Sequence, residues 1–161
     1  MKISVIGLGV YSLAISKMLA KKSENKIVIW TENEKNYEEY KKTKKVASVY
    51  DTEMPKNIKV SNSLEEVLKN AELIYIITAS KYVDIITKKM KEFYNPDVPI
   101  CIASKGIEES REELLSNIVK DNLKTKNIAV ISGPPLQIDV SYNLLDSKPL
   151  DTSWFKKVEF R

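Results

Sequence analysis

The sequence predicts an α/β fold with a doubly wound, mostly parallel sheet and helices on both of its faces. Short apolar runs alternate with longer amphipathic stretches, and each of the four glycines follows one of the short runs. An order of strand, helix, strand, helix is typical of a parallel sheet that crossover helices cover. The short runs lack polar alternation, which is typical of strands buried on both faces.

The elements are expected in the following order along the chain. Strands are predicted at residues 2–6, 27–30, 73–77, 100–103 and 128–131, with a minor strand at 58–60. Helices are predicted after Gly9, from residue 34, at 64–70, at 82–93 and at 110–123, from apolar residues at helical spacing. Ser63 has the features of an N-cap with Glu66 three residues on, and Glu112 and Glu113 suit the positive end of the last helix.

Composition excludes several classes of protein and of site. A length of 161 residues suits one domain, and the net charge of +4 comes from dispersed lysines, which gives nucleic-acid binding no support. One cysteine and no histidine exclude a disulfide framework, the usual zinc site and any Ser-His or Cys-His pair, so we expect no metal. The longest apolar stretch, residues 73–79, is too short to span a membrane, and no secretory signal is visible. We therefore expect a cytoplasmic protein.

The first glycine pair lies in a turn of the dinucleotide-binding type. The turn is Gly7-Leu8-Gly9-Val10-Tyr11-Ser12, between the first strand and the first helix. Gly7 would make the tight turn, and Gly9 would let a pyrophosphate reach the start of the helix. Ser12 replaces the third glycine, where a small residue is needed for packing. The alternative is a structural turn without a ligand, but the strand before and the helix after favour a Rossmann-type site.

The end of the second strand indicates which dinucleotide binds. Glu32 follows Trp30 at the distance from the glycines where an acid would bind the ribose 2′-hydroxyl. A carboxylate there repels a 2′-phosphate, so we expect NAD, with NADP the less favoured cofactor. Alternatively, Glu32 is only a solvated loop acid.

Two further motifs follow later strands, at the same predicted edge of the sheet. They are Ser104-Lys105-Gly106-Ile107-Glu108 and Ser132-Gly133-Pro134-Pro135. Lys105 could hold a phosphate there, although most lysines are surface residues. Ser80 is better explained as the cap of the helix from Tyr82, and Cys101 as a small buried hydrophobe. We expect the bends at residues 7, 9, 106 and 133 to surround one nucleotide-sized hollow.

Together these motifs resemble the bacterial-type NAD(P)-dependent glycerol-3-phosphate dehydrogenases. The resemblance lies in Ile6-Gly7-Leu8-Gly9 with Tyr11 and Ala14, in Ile29-Trp30, in residues 103–108 and in residues 130–134. It implies a nicotinamide domain followed by a helical substrate domain, which together reduce dihydroxyacetone phosphate to glycerol 3-phosphate for glycerophospholipid synthesis. The cofactor residues that it implies, with those of the glycine turn, are Gly7, Gly9, Val10, Tyr11, Ser12, Glu32, Lys105 and Gln137. The implied substrate residues are Lys105, Gly133 and Pro135.

The resemblance covers only the cofactor half of such an enzyme. We expect residues 1–142 to form the NAD(P)-binding Rossmann domain, and residues 143–161 to be an extension or the start of a helical domain. No catalytic residue is assigned, because the family's catalytic lysine belongs to that second domain, and the chain is expected to act on a small phosphate substrate only when completed. One alternative is a non-catalytic NAD(H)-binding module or a truncated remnant. Another is half of a hydroxyacid or ketopantoate reductase, but the two later motifs argue against the reductase. Trp154, Phe155 and Phe160 would cover the sheet edge or pair copies into a homodimer.

Overall fold

The structure is a computed structural model, and it describes residues 1–46, 54–104, 106–108 and 112–131. The strands are β1 Lys2–Ile6, β2 Lys26–Trp30, β3 Ile58–Ser61, β4 Leu73–Ile76, β5 Ile100–Ile102, β6 Ile107–Glu108, β7 Glu113–Leu114 and β8 Ile128–Val130. The helices are α1 Val10–Ala20, α2 Glu34–Thr43, α3 Leu64–Leu68, α4 Ser80–Met90 and α5 Leu115–Leu123.

Six of the strands form one sheet in the order β3-β2-β1-β4-β5-β8. All of its neighbouring strands run parallel. The chain moves outward from β1 to β3, crosses back to β4 and then continues in the opposite direction, which is the doubly wound topology. The predicted fold class is therefore confirmed, and the carboxyl ends of all six strands lie at one edge.

The sheet separates two apolar clusters, one on each face. On one face, β-strand residues such as Ile76 and Ile102 pack against α3, α4 and α5. On the other face, residues such as Val5 and Ile29 pack against α1 and α2. Successive strand residues alternate between the two clusters, and those four side chains are fully buried. Burial on both faces explains why these strands are apolar throughout.

Side-chain caps begin two of the helices. The Asn33 side chain accepts a hydrogen bond from the Asn36 amide at 3.2 Å at the start of α2. The predicted N-cap Ser63 accepts one from the Glu66 amide, also at 3.2 Å. The Glu66 carboxylate does not complete a capping box but accepts a hydrogen bond from the Ser61 hydroxyl at 2.5 Å. The short helix α3 is thus tied to the end of β3.

Two expectations about helix starts are wrong. The last helix begins at Leu115, because the residues before it form an antiparallel hairpin in which Ile107 pairs with Leu114. Glu113 lies in β7 and Glu112 has a φ of 51°, so neither acid lies in the first turn of α5. Ser80 is not a cap either, since α4 begins at Ser80 itself and Ala79 holds the cap position.

No helix among the described residues is long and apolar enough to cross a membrane.

Candidate functional site

A cavity of about 450 Å³ opens at the carboxyl edge of the sheet. Three segments line it, and each follows one of the neighbouring strands β1, β4 and β5. The lining residues are Gly7, Leu8, Gly9, Val10, Tyr11, Ser12, Ile77, Thr78, Ala79, Ser80, Tyr82, Ala103 and Ser104. The cavity lies beside β1 and β4, where the direction of winding reverses and where open α/β sheets bind their ligands.

Gly7 is required by the chain itself. Its φ is +111°, in a region that side chains other than glycine rarely adopt, and a Cβ added there would lie 2.2 Å from the Ile77 carbonyl oxygen. The Gly7 amide donates a hydrogen bond to the Trp30 carbonyl at 3.1 Å. Gly7 therefore lets β1, β2 and the segment after β4 approach one another closely.

Gly9 differs from Gly7, because nothing in the described chain requires glycine there. Its φ is −151°, which is ordinary extended backbone. A Cβ added to Gly9 would find no atom within 4 Å. The space that this glycine leaves open belongs to the cavity, directly in front of the first turn of α1.

The head of α1 presents backbone donors toward this space. The first helical hydrogen bond runs from the Leu13 amide to the Gly9 carbonyl, at 2.9 Å. The amides of Val10, Tyr11 and Ser12 precede it and have no acceptor within the helix. Such a helix start favours an anion, through both the free N–H groups and the helix dipole.

Ser12 has a larger role than the small-residue requirement predicts. Its side chain is buried, and its hydroxyl oxygen accepts a hydrogen bond from the Gly9 amide at 2.7 Å. The hydroxyl also donates to the Gly9 carbonyl at 2.9 Å. Ser12 therefore stabilises the turn through two hydrogen bonds to Gly9, neither of which a glycine at position 12 could form.

Ser104 connects two of the lining segments. Its hydroxyl accepts a hydrogen bond from the Thr78 amide at 3.0 Å and donates to the Ile76 carbonyl at 3.3 Å. The sequence analysis named Ser104 within a motif but did not predict that it belongs to the site, and it did not consider Thr78. The position of Ser104 beside Lys105, directly after a buried strand, was the available signal.

Tyr11, Tyr75 and Cys101 lie close together below the cavity, on the face of the sheet that α1 covers. Burial raises the pKa of both tyrosines, and the negative charge that Cys101 acquires at high pH raises the pKa of each further. Burial also raises the pKa of Cys101 to about 11. The thiol is therefore protonated at neutral pH, and Cys101 is the small buried hydrophobe that the sequence predicts.

Glu32 lies just beyond the end of β2 and does not line the cavity. Its carboxylate forms an ion pair with the Lys89 ammonium of α4, and both side chains are largely exposed. Sequence reasoning missed this pairing, since 57 residues separate the two positions. The structure thus joins Gly7, Gly9, Val10, Tyr11 and Ser12 in one cavity and leaves Glu32 paired outside it.

The remaining predicted residues lie outside the described part of the chain. They are Lys105, Gly133, Pro135 and Gln137. Gly106 is described, with a φ of +89°, and lies two residues beyond Ser104 at the start of the β6–β7 hairpin. Among the described residues, no group of three or more side chains could hold a metal ion.

Comparison with known proteins identifies the family. A family model described as the N-terminus of NAD-dependent glycerol-3-phosphate dehydrogenase matches residues 2–145. The chain belongs to this family. The resemblance drawn from the motifs is therefore confirmed, and membership decides against half of a hydroxyacid or ketopantoate reductase.

Individual members of the family support the same assignment. Glycerol-3-phosphate dehydrogenase [NAD(P)+] of Fusobacterium nucleatum is 32% identical over 136 residues, which cover 83% of this chain and 40% of that protein. The enzyme of the same name from a Thermoanaerobacter species is 31% identical over 134 residues, with 83% and 40% covered. The chain thus spans about two fifths of the length of these curated relatives.

Solved structures share the fold. Glycerol-3-phosphate dehydrogenase of Coxiella burnetii superposes with a TM-score of 0.79 at 24% identity, over 88% of this chain and 43% of that one. The Plasmodium falciparum enzyme gives a TM-score of 0.77 at 22% identity, over 89% and 43%. At these identities the likeness establishes the doubly wound fold alone.

Proposed function

We propose that this chain binds NAD(H) as the nucleotide-binding half of an NAD-dependent glycerol-3-phosphate dehydrogenase. The complete enzyme would interconvert glycerol 3-phosphate and dihydroxyacetone phosphate. One observation carries the cofactor proposal: within the described chain, neither the backbone conformation at Gly9 nor any close contact requires this residue to be glycine. A glycine with open space before a helix start is what close approach of a pyrophosphate requires.

The described residues fit this cofactor. The amides of Val10 and Tyr11 would bind the pyrophosphate at the head of α1, and Ser12 would keep the turn in shape through its bonds to Gly9. The Thr78–Ser104 hydrogen bond would keep the far wall of the cavity in position. Bound NAD supplies the hydride acceptor, while this chain binds the cofactor and orients it.

Glu32 would set the preference for NADH over NADPH. It would accept a hydrogen bond from the ribose 2′-hydroxyl once its carboxylate turns from Lys89 toward the ligand. The same carboxylate would repel a 2′-phosphate, although Lys89 offsets part of that repulsion. We therefore expect a preference for NADH that is moderate rather than absolute.

Catalysis would need further residues. The cavity lining among the described residues contains no carboxylate, ammonium or imidazole group that could transfer a proton to the substrate oxygen. We propose that Lys105 contacts cofactor and substrate, that Gly133 and Pro135 border the substrate, and that Gln137 borders the cofactor. A helical domain would be needed to hold the small phosphate substrate. The complete enzyme would act in the cytoplasm, in glycerophospholipid metabolism.

The absence of charged side chains among the described lining residues also favours a second candidate function, a module that binds NAD(H) without turnover. The two candidates share the cofactor site and differ only in whether a helical domain completes it. Addition of a helical domain from a relative would separate them, because only the enzyme half would gain NADH oxidation with dihydroxyacetone phosphate.

Titration of the full chain with NADH tests the cofactor site. We expect saturable binding that is tighter than that of NADPH, and no oxidation of NADH by the chain alone with dihydroxyacetone phosphate. Gly9→Ala should weaken NADH binding at least about tenfold, since the methyl group would occupy the space of the pyrophosphate. Its free energy of unfolding should stay within about 0.5 kcal/mol of the parent, because the methyl group meets no atom.

The matched control is Lys21→Ala, an exposed change at the opposite end of α1, which should alter neither quantity. Absence of NADH binding by folded protein, or unchanged binding by Gly9→Ala, would contradict the proposed site. Turnover by the chain alone would contradict its assignment as half of an enzyme.

A further inference from the structure

A second hollow, distinct from the cofactor cavity, runs along the face of the sheet over β4, β5 and β8. It is a groove of about 680 Å³. Its lining consists of Leu73, Tyr75, Asp97, Pro99, Ile100, Cys101, Lys126, Asn127, Ile128, Ala129 and Ile131. We call it the β8 groove.

Strand register explains its apolar floor. Tyr75 pairs with Cys101, and Cys101 pairs with Ala129, so these three side chains form one row across β4, β5 and β8. Leu73 and Ile131 lie two residues from members of this row and therefore face the same side. The strands carry apolar side chains here, as they do where a helix covers them.

Among the described helices, only the first turn of α1 reaches this floor, where Tyr11 lies close to Tyr75 and Cys101, and none covers the rest of it. Helices α4 and α5 both pack on the opposite face, where Ile102 is fully buried. On the groove side, Leu73, Tyr75 and Ala129 are only half-buried. A contiguous apolar surface of this kind usually has an occupant.

The last described residue, Ile131, lies in the groove at the carboxyl end of β8. The amide of Ile131, the last described residue, donates to the Ile102 carbonyl at 2.8 Å, and the Ile131 side chain lies in the groove. Leu73 and Pro99 line the amino end, about five residues of strand or ~17 Å away. Residues 132–142 can extend to ~36 Å, so the residues after them can reach any part of the groove.

We propose that residues 143–161 pack into the β8 groove of their own chain and complete the cover of the sheet. The aromatic residues of this stretch are Trp154, Phe155 and Phe160. Each such side chain buries ~150–250 Å² when packed, which suits an apolar floor. The inference does not depend on NAD binding, since the cofactor cavity and the groove have different lining residues.

Cys101 makes the proposal testable, because it is the only cysteine of the chain and lies on the groove floor. In the full chain at pH 8, iodoacetamide should modify Cys101 slowly. The double variant Trp154→Ala/Phe155→Ala should raise this rate at least about tenfold, with circular dichroism and NADH binding unchanged. Phe93→Ala, which removes an aromatic side chain that is 37% exposed outside the groove, is the matched control and should leave the rate unchanged.

A second measurement locates the occupant directly. The photoreactive aromatic p-benzoylphenylalanine replaces Trp154, and isotopically light and heavy chains are mixed before irradiation. Cross-links within one chain to the peptides that carry Tyr75, Cys101 or Ala129 would support the proposal. Cross-links between light and heavy chains would overturn it in favour of a homodimer. Absence of cross-links to the groove, or an unchanged modification rate in the double variant, would also overturn it.

Discussion

The two halves of the sheet have equally apolar strands but unequal cover. In the half formed by β1, β2 and β3, helices α1 and α2 pack on one face and α3 on the other. In the half formed by β4, β5 and β8, the described helices α4 and α5 pack on one face only. The β8 groove occupies the other face of that half.

The handedness of the crossover connections explains this difference. Right-handed connections place helices on one face when the chain moves outward from β1, and on the opposite face when it moves outward from β4. The crossover helix α3 lies on the α4 side and therefore completes the first half. The second half receives no corresponding helix from the described chain. Its strands are nevertheless apolar on this face too, which predicts that residues other than the described helices cover it.

The largest expected effect concerns the junction of the two halves, where Gly7 of the first half meets Ile77 of the second. Gly7→Ala should cost at least about 3 kcal/mol of unfolding free energy, because the methyl group would clash with the Ile77 carbonyl at a strained positive φ. Urea unfolding compares it with Gly9→Ala, which should be nearly neutral. A loss below about 1 kcal/mol for Gly7→Ala would mean that the halves are not packed so closely there.

A smaller effect compares the two faces of one strand in the second half. Ile76 is fully buried beneath the helices, whereas Leu73 is half-buried in the groove. Ile76→Ala should cost about 2–5 kcal/mol, and Leu73→Ala should cost nearly as much, because the proposed packing of residues 143–161 in the groove would cover Leu73 in the full chain. Urea unfolding of both variants measures the difference. A loss for Leu73→Ala below half of that for Ile76→Ala would contradict the proposed cover of the groove.

The smallest effect concerns the ion pair that joins the two halves near the end of β2. Lys89→Ala should raise the preference for NADH over NADPH by a few-fold, because it frees Glu32 and removes a cation that attracts the 2′-phosphate. Titration with both cofactors measures it. Lys88→Ala, which breaks the neighbouring pair with Asp84 within α4, is the control and should leave the preference unchanged.

Local patterns were sufficient for most of the fold. The strands around Ile29 and Ile76 and the short helix after Ser63 follow from apolar runs and a capping residue, and they end within one or two residues of the expected positions. The hairpin at Ile107 and Leu114 could not be predicted in this way. Leu114 continues a helical apolar pattern, yet it pairs with Ile107 across the hairpin and is 58% exposed.

The candidate site was predictable only in part. The turn from Gly7 to Ser12 has a sequence signature, because its glycines and its flanking strand and helix are consecutive in the chain. The Thr78–Ser104 hydrogen bond and the Glu32–Lys89 pair have none, because they join residues 26 and 57 positions apart. Such contacts depend on which strands become neighbours in the sheet, and the identity of a single residue carries no information on the strand order.

The sequence by itself determined the alternation of strands and helices, the family and the glycine turn, because each of these is recognised from short motifs whose own residues are consecutive or nearly so in the chain. Only the tertiary structure decided that Gly7 fills a close contact while Gly9 leaves open space, and that one face of β4, β5 and β8 forms a groove. The physical reason is that both depend on atoms brought together by the winding of the sheet, whose direction reverses between β1 and β4.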